Sequence, residues 1–303
     1  MAGLSYSGYL KAELCKLKPT GCCRIAECYG LLLLSRSFYR SEISIRTTSR
    51  ETAEMYCSLI KLCFGAHTVL KANDKGTSFT ASVAGEADRE KIVNYYDSGE
   101  KDWILNPKFV RRTCCRRAFL RGAFLACGSV NDPSKGYHLE FAVKDPTLAF
   151  AFAAFLELCG HKCKHSARKS VTALYYNDSN VIEELLGEIG AGQKSLELME
   201  VKVVRNMRNK LNRKNNFETA NISKTVNAAV KQNEAIEFLI KENKLSLLPK
   251  ELYDVAVLRR DNPEASLTEM CRLLGGGITR SGLNHRIKRI IAAAVDAGCE
   301  DLK

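Results

Sequence analysis

Near the end of the chain, Thr279, Arg280, Ser281, Asn284, His285, Arg286, Lys288 and Arg289 have the types and spacing to read a duplex nucleic acid. Arginine can grip guanine through two parallel hydrogen bonds and asparagine can do the same for adenine. Threonine or serine at a helix N-terminus can meet a phosphate. The run 279–290 holds four bases and no acid, in a region otherwise nearly neutral. A basic surface helix would show the same charge, and His285 alone carries little of the argument. A second basic stretch, Arg205 to Asn216, supplies Arg205, Arg208, Lys210, Arg213 and Lys214 beside five asparagines and no acid. A solvated linker helix is the plainer reading of such a run. Asparagine adds hydrogen bonds to phosphate and sugar, which favours a DNA-facing stretch.

Cysteine and histidine invite a metal test. Cys159, His161, Cys163 and His165 alternate in one short stretch, and Cys15, Cys22, Cys23 and Cys28 lie near the N-terminus. Zinc sites usually present two short Cys/His pairs separated by a dozen or more residues. Neither cluster has that form, so reduced structural thiols are expected, with no metal and no cofactor. The 13 cysteines are odd in number and scattered, and no basic-then-apolar leader opens the chain, which argues against a disulfide framework.

The elements that must position these residues follow from periodicity. Leu247–Arg260 reads as an amphipathic helix with Pro249 near its start, stopped by Asp261-Asn262-Pro263. Ser266 caps Leu267–Leu274, with Glu269 in the third position of a capping box. Gly275-Gly276-Gly277 makes a turn, and Thr279 or Ser281 starts a last helix. Its apolar residues Leu283, Ile287, Ile290 and Ile291 form one buried stripe. This is a helix-turn-helix layout, with the angle between the helices left open by the long glycine turn.

Upstream, the chain repeats itself. An offset of 96 pairs Ile43 with Leu139, Ile45 with Phe141 and Leu59 with Phe155; further upstream the offset is 92, pairing Gly30 with Gly122. The turn-like Asn131–Gly136 accounts for the difference. Each copy, about 24–100 and 116–190, reads as an α-β-β-α-β-β-α unit with helices covering one sheet face. The first helices are expected at Arg24–Leu34 and Arg116–Cys127.

Those helices carry Cys28-Tyr-Gly-Leu-Leu-Leu-Leu-Ser-Arg36 and Leu120-Arg-Gly-Ala-Phe-Leu-Ala-Cys-Gly128. Both resemble the LAGLIDADG motif of homing endonucleases. The resemblance implies that the two helices pack against each other at the repeat interface, where Gly30, Gly122 and Ala126 permit close approach. In that family an acid at the eighth position of each motif holds Mg²⁺. Here those positions are Ser35 and Cys127, which cannot hold Mg²⁺ as carboxylates do, and the sixth positions are Leu33 and Leu125. The expectation is a scaffold without catalytic residues, not an enzyme.

With Arg117–Ser129, Arg205–Thr225 and Thr279–Ile290, the whole chain resembles the WhiA family of bacterial regulators. Gly276-Gly277 departs from the family pattern, in which prolines are common. The fold class expected is an α+β two-repeat LAGLIDADG-like N-terminal domain followed by an all-α helix-turn-helix C-terminal domain. Boundaries fall at 1–110, 111–195, 196–230 (a basic linker helix) and 231–303. The resemblance implies a transcriptional regulator in cell division, chromosome segregation and sporulation. Its partners would be double-stranded DNA at promoters and a protein of the transcription machinery. An interaction module for protein or small molecule, or less readily a residual endonuclease, are the alternatives.

Composition agrees with that class. The 303 residues are 46% hydrophobic and 26% charged, as in ordinary globular chains, and the formal charge of +12 suits a polyanionic partner. The longest uncharged apolar stretch, Pro146 to Leu156, is too short for the roughly 20 residues that cross a bilayer. A cytoplasmic, nucleoid-associated protein without membrane contact is expected.

Overall fold

The computed structural model describes residues 4–97 and 105–299, and the chain divides into two compact units, Met1–Asn206 and Met207–Lys303. The first unit is built twice over. After an opening helix α1 (Tyr6–Cys15), the first copy runs α2 (Gly21–Leu33), β1 (Ser37–Phe38), β2 (Ile43–Thr47), α3 (Arg50–Phe64), β3 (Thr68–Ala72), β4 (Phe79–Val83) and α4 (Glu86–Tyr96). The second runs α5 (Thr113–Cys127), β5 (Gly128–Val130), β6 (Leu139–Val143), α6 (Pro146–Leu158), β7 (Lys164–Arg168), β8 (Val171–Tyr176) and α7 (Ser179–Ile189). Helices α2 and α5 begin about a turn earlier than the hydrophobic pattern places them, because their first turns carry Cys-Cys pairs instead of the apolar stripe.

Each copy forms an antiparallel four-stranded sheet of the same order, β1-β2-β4-β3 and β5-β6-β8-β7. Ile45 faces Ala81 across β2 and β4, and Phe141 faces Leu174 across β6 and β8. These are inward pairs, since alternate residues of a strand share a face, and all four are buried. Helix starts follow from side-chain caps: Ser49 accepts the Thr52 N–H ahead of α3, and Asp145 accepts those of Thr147 and Leu148 ahead of α6. Between β5 and β6, the loop holding Asn131–Gly136 is braced by Asp132, which accepts from the backbone and hydroxyl of Ser134.

Helices α2 and α5 cross at the centre of this unit. A Cβ on Gly30 would fall far inside contact with the Phe119 carbonyl, and one on Gly122 inside contact with the Glu27 carbonyl. Neither position can be anything but glycine at this separation. The helix faces that meet carry Leu31, Phe119 and Ala123, all fully buried. Beside them Arg121 donates to Glu27 at 2.6 Å, an ion pair inside the unit.

Helix α8 (Gly192–Lys241) is one unbroken helix of 50 residues, longer at both ends than the linker expected at 196–230. Its start contributes buried Leu198 to the first core; its end contributes Ala235, Ile236 and Leu239 to a second. That second core is completed by α9 (Lys250–Asp261), α10 (Leu267–Leu273) and α11 (Arg280–Asp296). Pro249 stands just outside α9, and the helix extends through Asp261. Buried Arg259 donates from Nε to Gln232 at 2.8 Å, tying α9 to α8. No described helix is long and apolar enough to cross a membrane.

Candidate nucleic-acid interface

Helix α10 ends in a two-bond glycine cap. The Gly275 N–H bonds the Arg272 carbonyl and the Gly276 N–H bonds the Cys271 carbonyl, with φ of 77° and 76° at the two glycines. This left-handed pair closes one helix and releases the chain into the next. Thr279 then caps α11, its Oγ1 accepting the Gly282 N–H at 3.2 Å, so the start lies at Thr279 and not at Ser281. Leu283, Ile287, Ile290 and Ala294 point into the core. The opposite side exposes Thr279, Arg280, Ser281, Asn284, His285, Lys288 and Arg289. Arg286 differs from the expectation of a free base: it is half-buried, and its Nη2 lies 3.2 Å from Glu251 on α9.

The second basic stretch divides in the same way. Arg208, Lys210, Arg213 and Lys214 are exposed on α8, with Lys214 3.9 Å from Glu218 one turn along. Arg205 is not free. Its guanidinium stacks 4.9 Å over Tyr137 and donates to the Ser134 carbonyl at 3.2 Å, docking α8 on the loop that distinguishes the second copy.

At the C-terminal ends of α2 and α5, where paired acids would hold a metal, Ser35 turns its hydroxyl back to the Leu32 carbonyl at 2.7 Å. Cys127 likewise bonds the Ala123 carbonyl at 3.5 Å, and burial pushes its thiol up to about 12 despite nearby Lys11. Leu33 and Leu125 are buried apolar residues. A cavity of about 290 Å³ opens beside Ser35 and Cys127, bordered by Arg36, Arg46 and Lys144 and by no acid. Lys11, on α1, donates to the Leu125 carbonyl at 3.1 Å; burial pulls its ammonium below the ordinary value, with Cys127 and Cys15 acting against that. Bases now stand where a divalent cation would need anions, so the site suits an anionic group. Lys11 had no sequence signal, because α1 lies outside both motifs.

The cysteine groupings read from the sequence are not those the fold assembles. His161 is buried, with Nε2 3.1 Å from Glu188, and serves packing. Cys15 reaches toward Thr52, and Cys28 lies against Cys63. Cys22 and Cys23 instead meet Cys114 and Cys115 across the helix pair.

Two four-stranded copies joined through glycine-faced helices, followed by a helix-turn-helix, define a LAGLIDADG-like protein with an appended helix-turn-helix domain. Residues 116–208 match the WhiA LAGLIDADG-like domain and residues 211–294 the WhiA C-terminal HTH domain. A relative from Heliobacterium modesticaldum, named "Probable cell division protein WhiA", is 35% identical over 96% of this chain and 96% of its own length. One of the same name from Brevibacillus brevis is 34% identical over 95% of each chain. The chain belongs to the WhiA family. Its fold matches the crystal structure of full-length WhiA from Thermotoga maritima with a TM-score of 0.60 at 23% identity, over 97% of this chain and 99% of that one. It also matches the isolated N-terminal LAGLIDADG domain of WhiA with a TM-score of 0.50 at 17% identity, over 62% of this chain and 94% of that one.

Proposed function

We propose that this chain is a sequence-specific double-stranded DNA-binding protein, a transcriptional regulator of cell division, chromosome segregation and sporulation that does not cleave its target. The observation that carries the reading is the outward face of α11. There Arg280, Ser281, Asn284, His285, Lys288 and Arg289 stand exposed behind a fixed N-cap, with no acid on the same stretch. Asn284 and Arg280 are the base readers, Thr279 and Ser281 the phosphate contacts at the helix start. Arg286 orients the helix through Glu251. Arg208, Lys210, Arg213 and Lys214 add contacts to the phosphate backbone, and the relatives' names support the place in cell division. Promoter choice, a protein partner in the transcription machinery and a cytoplasmic, nucleoid-associated location rest on the family resemblance.

Chemistry by a nuclease route lacks its ligands. Ser35 and Cys127 offer no carboxylate for Mg²⁺, and the neighbouring bases favour holding phosphate over activating water. Incubation of plasmid libraries carrying bound sites with protein and Mg²⁺ should leave the DNA intact; a site-specific double-strand cut overturns this reading. The direct test is genome-wide mapping of bound sites for the native chain and for one with Arg280, Lys288 and Arg289 changed to alanine. Sharp peaks should disappear in the variant. Unchanged peaks would move sequence reading to another surface. A second reading, the first unit as a docking module for an anionic ligand, draws on the basic cavity beside Ser35. Native mass spectrometry of the intact chain would reveal such a retained ligand.

A further inference from the structure

Cys22 and Cys23 occupy the second and third positions of α2; Cys114 and Cys115 occupy the same positions of α5. The 92-residue offset that superposes the two motif helices therefore carries one pair onto the other. Because α2 and α5 pack closely through Gly30 and Gly122, their first turns also meet, at the end opposite Ser35 and Cys127. The four sulfurs all lie within 4.8 Å of one another, and among the described residues this is the one such group of candidate metal ligands. Cys115 is buried, Cys23 half-buried, and Cys22 and Cys114 exposed, which leaves an entry path from solvent.

We propose that Cys22, Cys23, Cys114 and Cys115 form a four-thiolate site for a single Zn²⁺ ion that fastens the heads of the two repeats together. Size points to one ion. A tetrahedron with Zn–S bonds of about 2.3 Å has sulfur–sulfur edges of about 3.8 Å, which small side-chain rotations reach from the observed spacing. An iron–sulfur cluster would hold its cysteine sulfurs further apart, since bridging sulfides and several irons lie between them. Charge points the same way. Zn²⁺ with four thiolates carries a net charge of −2, and it would sit against the positive N-terminal ends of two helices, whose first-turn N–H groups lack helical partners. Arg112 adds a cation, with Nη1 4.0 Å from the Cys22 sulfur. The four thiols lose their protons to solvent as they coordinate. No electron changes hands.

The test uses the full chain, purified without oxygen and with its thiols reduced. Elemental analysis should give one zinc per chain, and X-ray absorption at the zinc edge should give four sulfur neighbours. Exchange for Co²⁺ should produce intense visible bands of a tetrahedral thiolate site. Cys22→Ser with Cys114→Ser should abolish that spectrum, whereas Cys127→Ser with Cys159→Ser should keep it. Should the first double variant misfold, Arg112→Ala gives a graded readout, an affinity on the order of tenfold weaker through loss of an outer partner. Absence of stoichiometric metal in the reduced chain overturns the proposal. So does cobalt colour that survives the Cys22/Cys114 changes, or a disulfide between α2 and α5 that persists under reductant and excludes zinc.

Discussion

Arg121 and Glu27 show how much a single buried pair decides. The Glu27 carboxylate is completely buried and meets Arg121 at 2.6 Å, yet its Oε1 and the Arg121 Nε have no hydrogen-bond partner. Burial raises the Glu27 carboxyl above its ordinary value, and Arg121 only partly opposes it. The native state thus takes up this proton more readily than the unfolded chain does. Its favourable contribution is full below the ordinary carboxyl range and is lost as pH rises through the raised native value. Arg121→Ala leaves the carboxylate alone in the core and should destabilise the first unit by about 3–5 kcal/mol in urea titrations near neutral pH. Glu27→Gln should be far milder, and its stability difference from the native chain should drift in favour of the native chain as pH falls toward the carboxyl range. A large loss that is the same at all pH values would mean that Glu27 acts by shape and not by charge. On the exposed side, Asn284→Ala should reduce affinity for a bound operator by about 1–3 kcal/mol while scarcely changing affinity for random duplex. Arg286→Ala, with its guanidinium committed to Glu251, should weaken both together, as read by competition binding on the two DNAs.

At the level of elements, the crossing of α2 and α5 makes a demand that no neighbouring residue can relieve. Gly30→Ala and Gly122→Ala each drive a methyl into a backbone carbonyl, so the helices must separate. Each should lower stability by about 1–3 kcal/mol or more, measured by chemical denaturation. Gly187→Ala in α7, where a Cβ meets nothing within contact, is the control expected to be neutral or stabilising. Much of this was legible in the sequence. The two offsets, 92 and 96, reappear in the matching starts of α2 and α5 and of β2 and β6, because strand alternation and helix stripes repeat with their residues. Helix α1 was not legible: it is held by burial of Leu10 and Leu14 in a core formed by distant elements. Arg205 and Arg286 look like free bases in sequence, since Tyr137 and Glu251, which engage them, lie far along the chain. Cys22 and Cys23 found no partners within a local zinc spacing, although the same 92-residue offset maps them onto Cys114 and Cys115.

For the molecule as a whole, the surplus of +12 is concentrated, and its placement sets how binding responds to salt. Residues 191–230 hold 8 bases against 3 acids, a surplus of 5. Along α8 the exposed Arg208, Lys210, Arg213 and Lys214 lack a distant protein partner among the described residues. Each phosphate neutralised by such a base contributes about 0.9 to the slope of log affinity against log salt. If these residues meet backbone phosphates, changing all four to alanine should flatten that slope by about 4 and weaken operator and random duplex alike. The changes in α11 should behave the other way. Asn284→Ala carries no charge, so the salt slope should stay fixed while the ratio of operator to random affinity falls. Fluorescence anisotropy titrations on both duplexes over a range of salt separate the two effects. A quadruple α8 variant with an unaltered slope would show that these four bases face solvent in the complex and make no phosphate contacts.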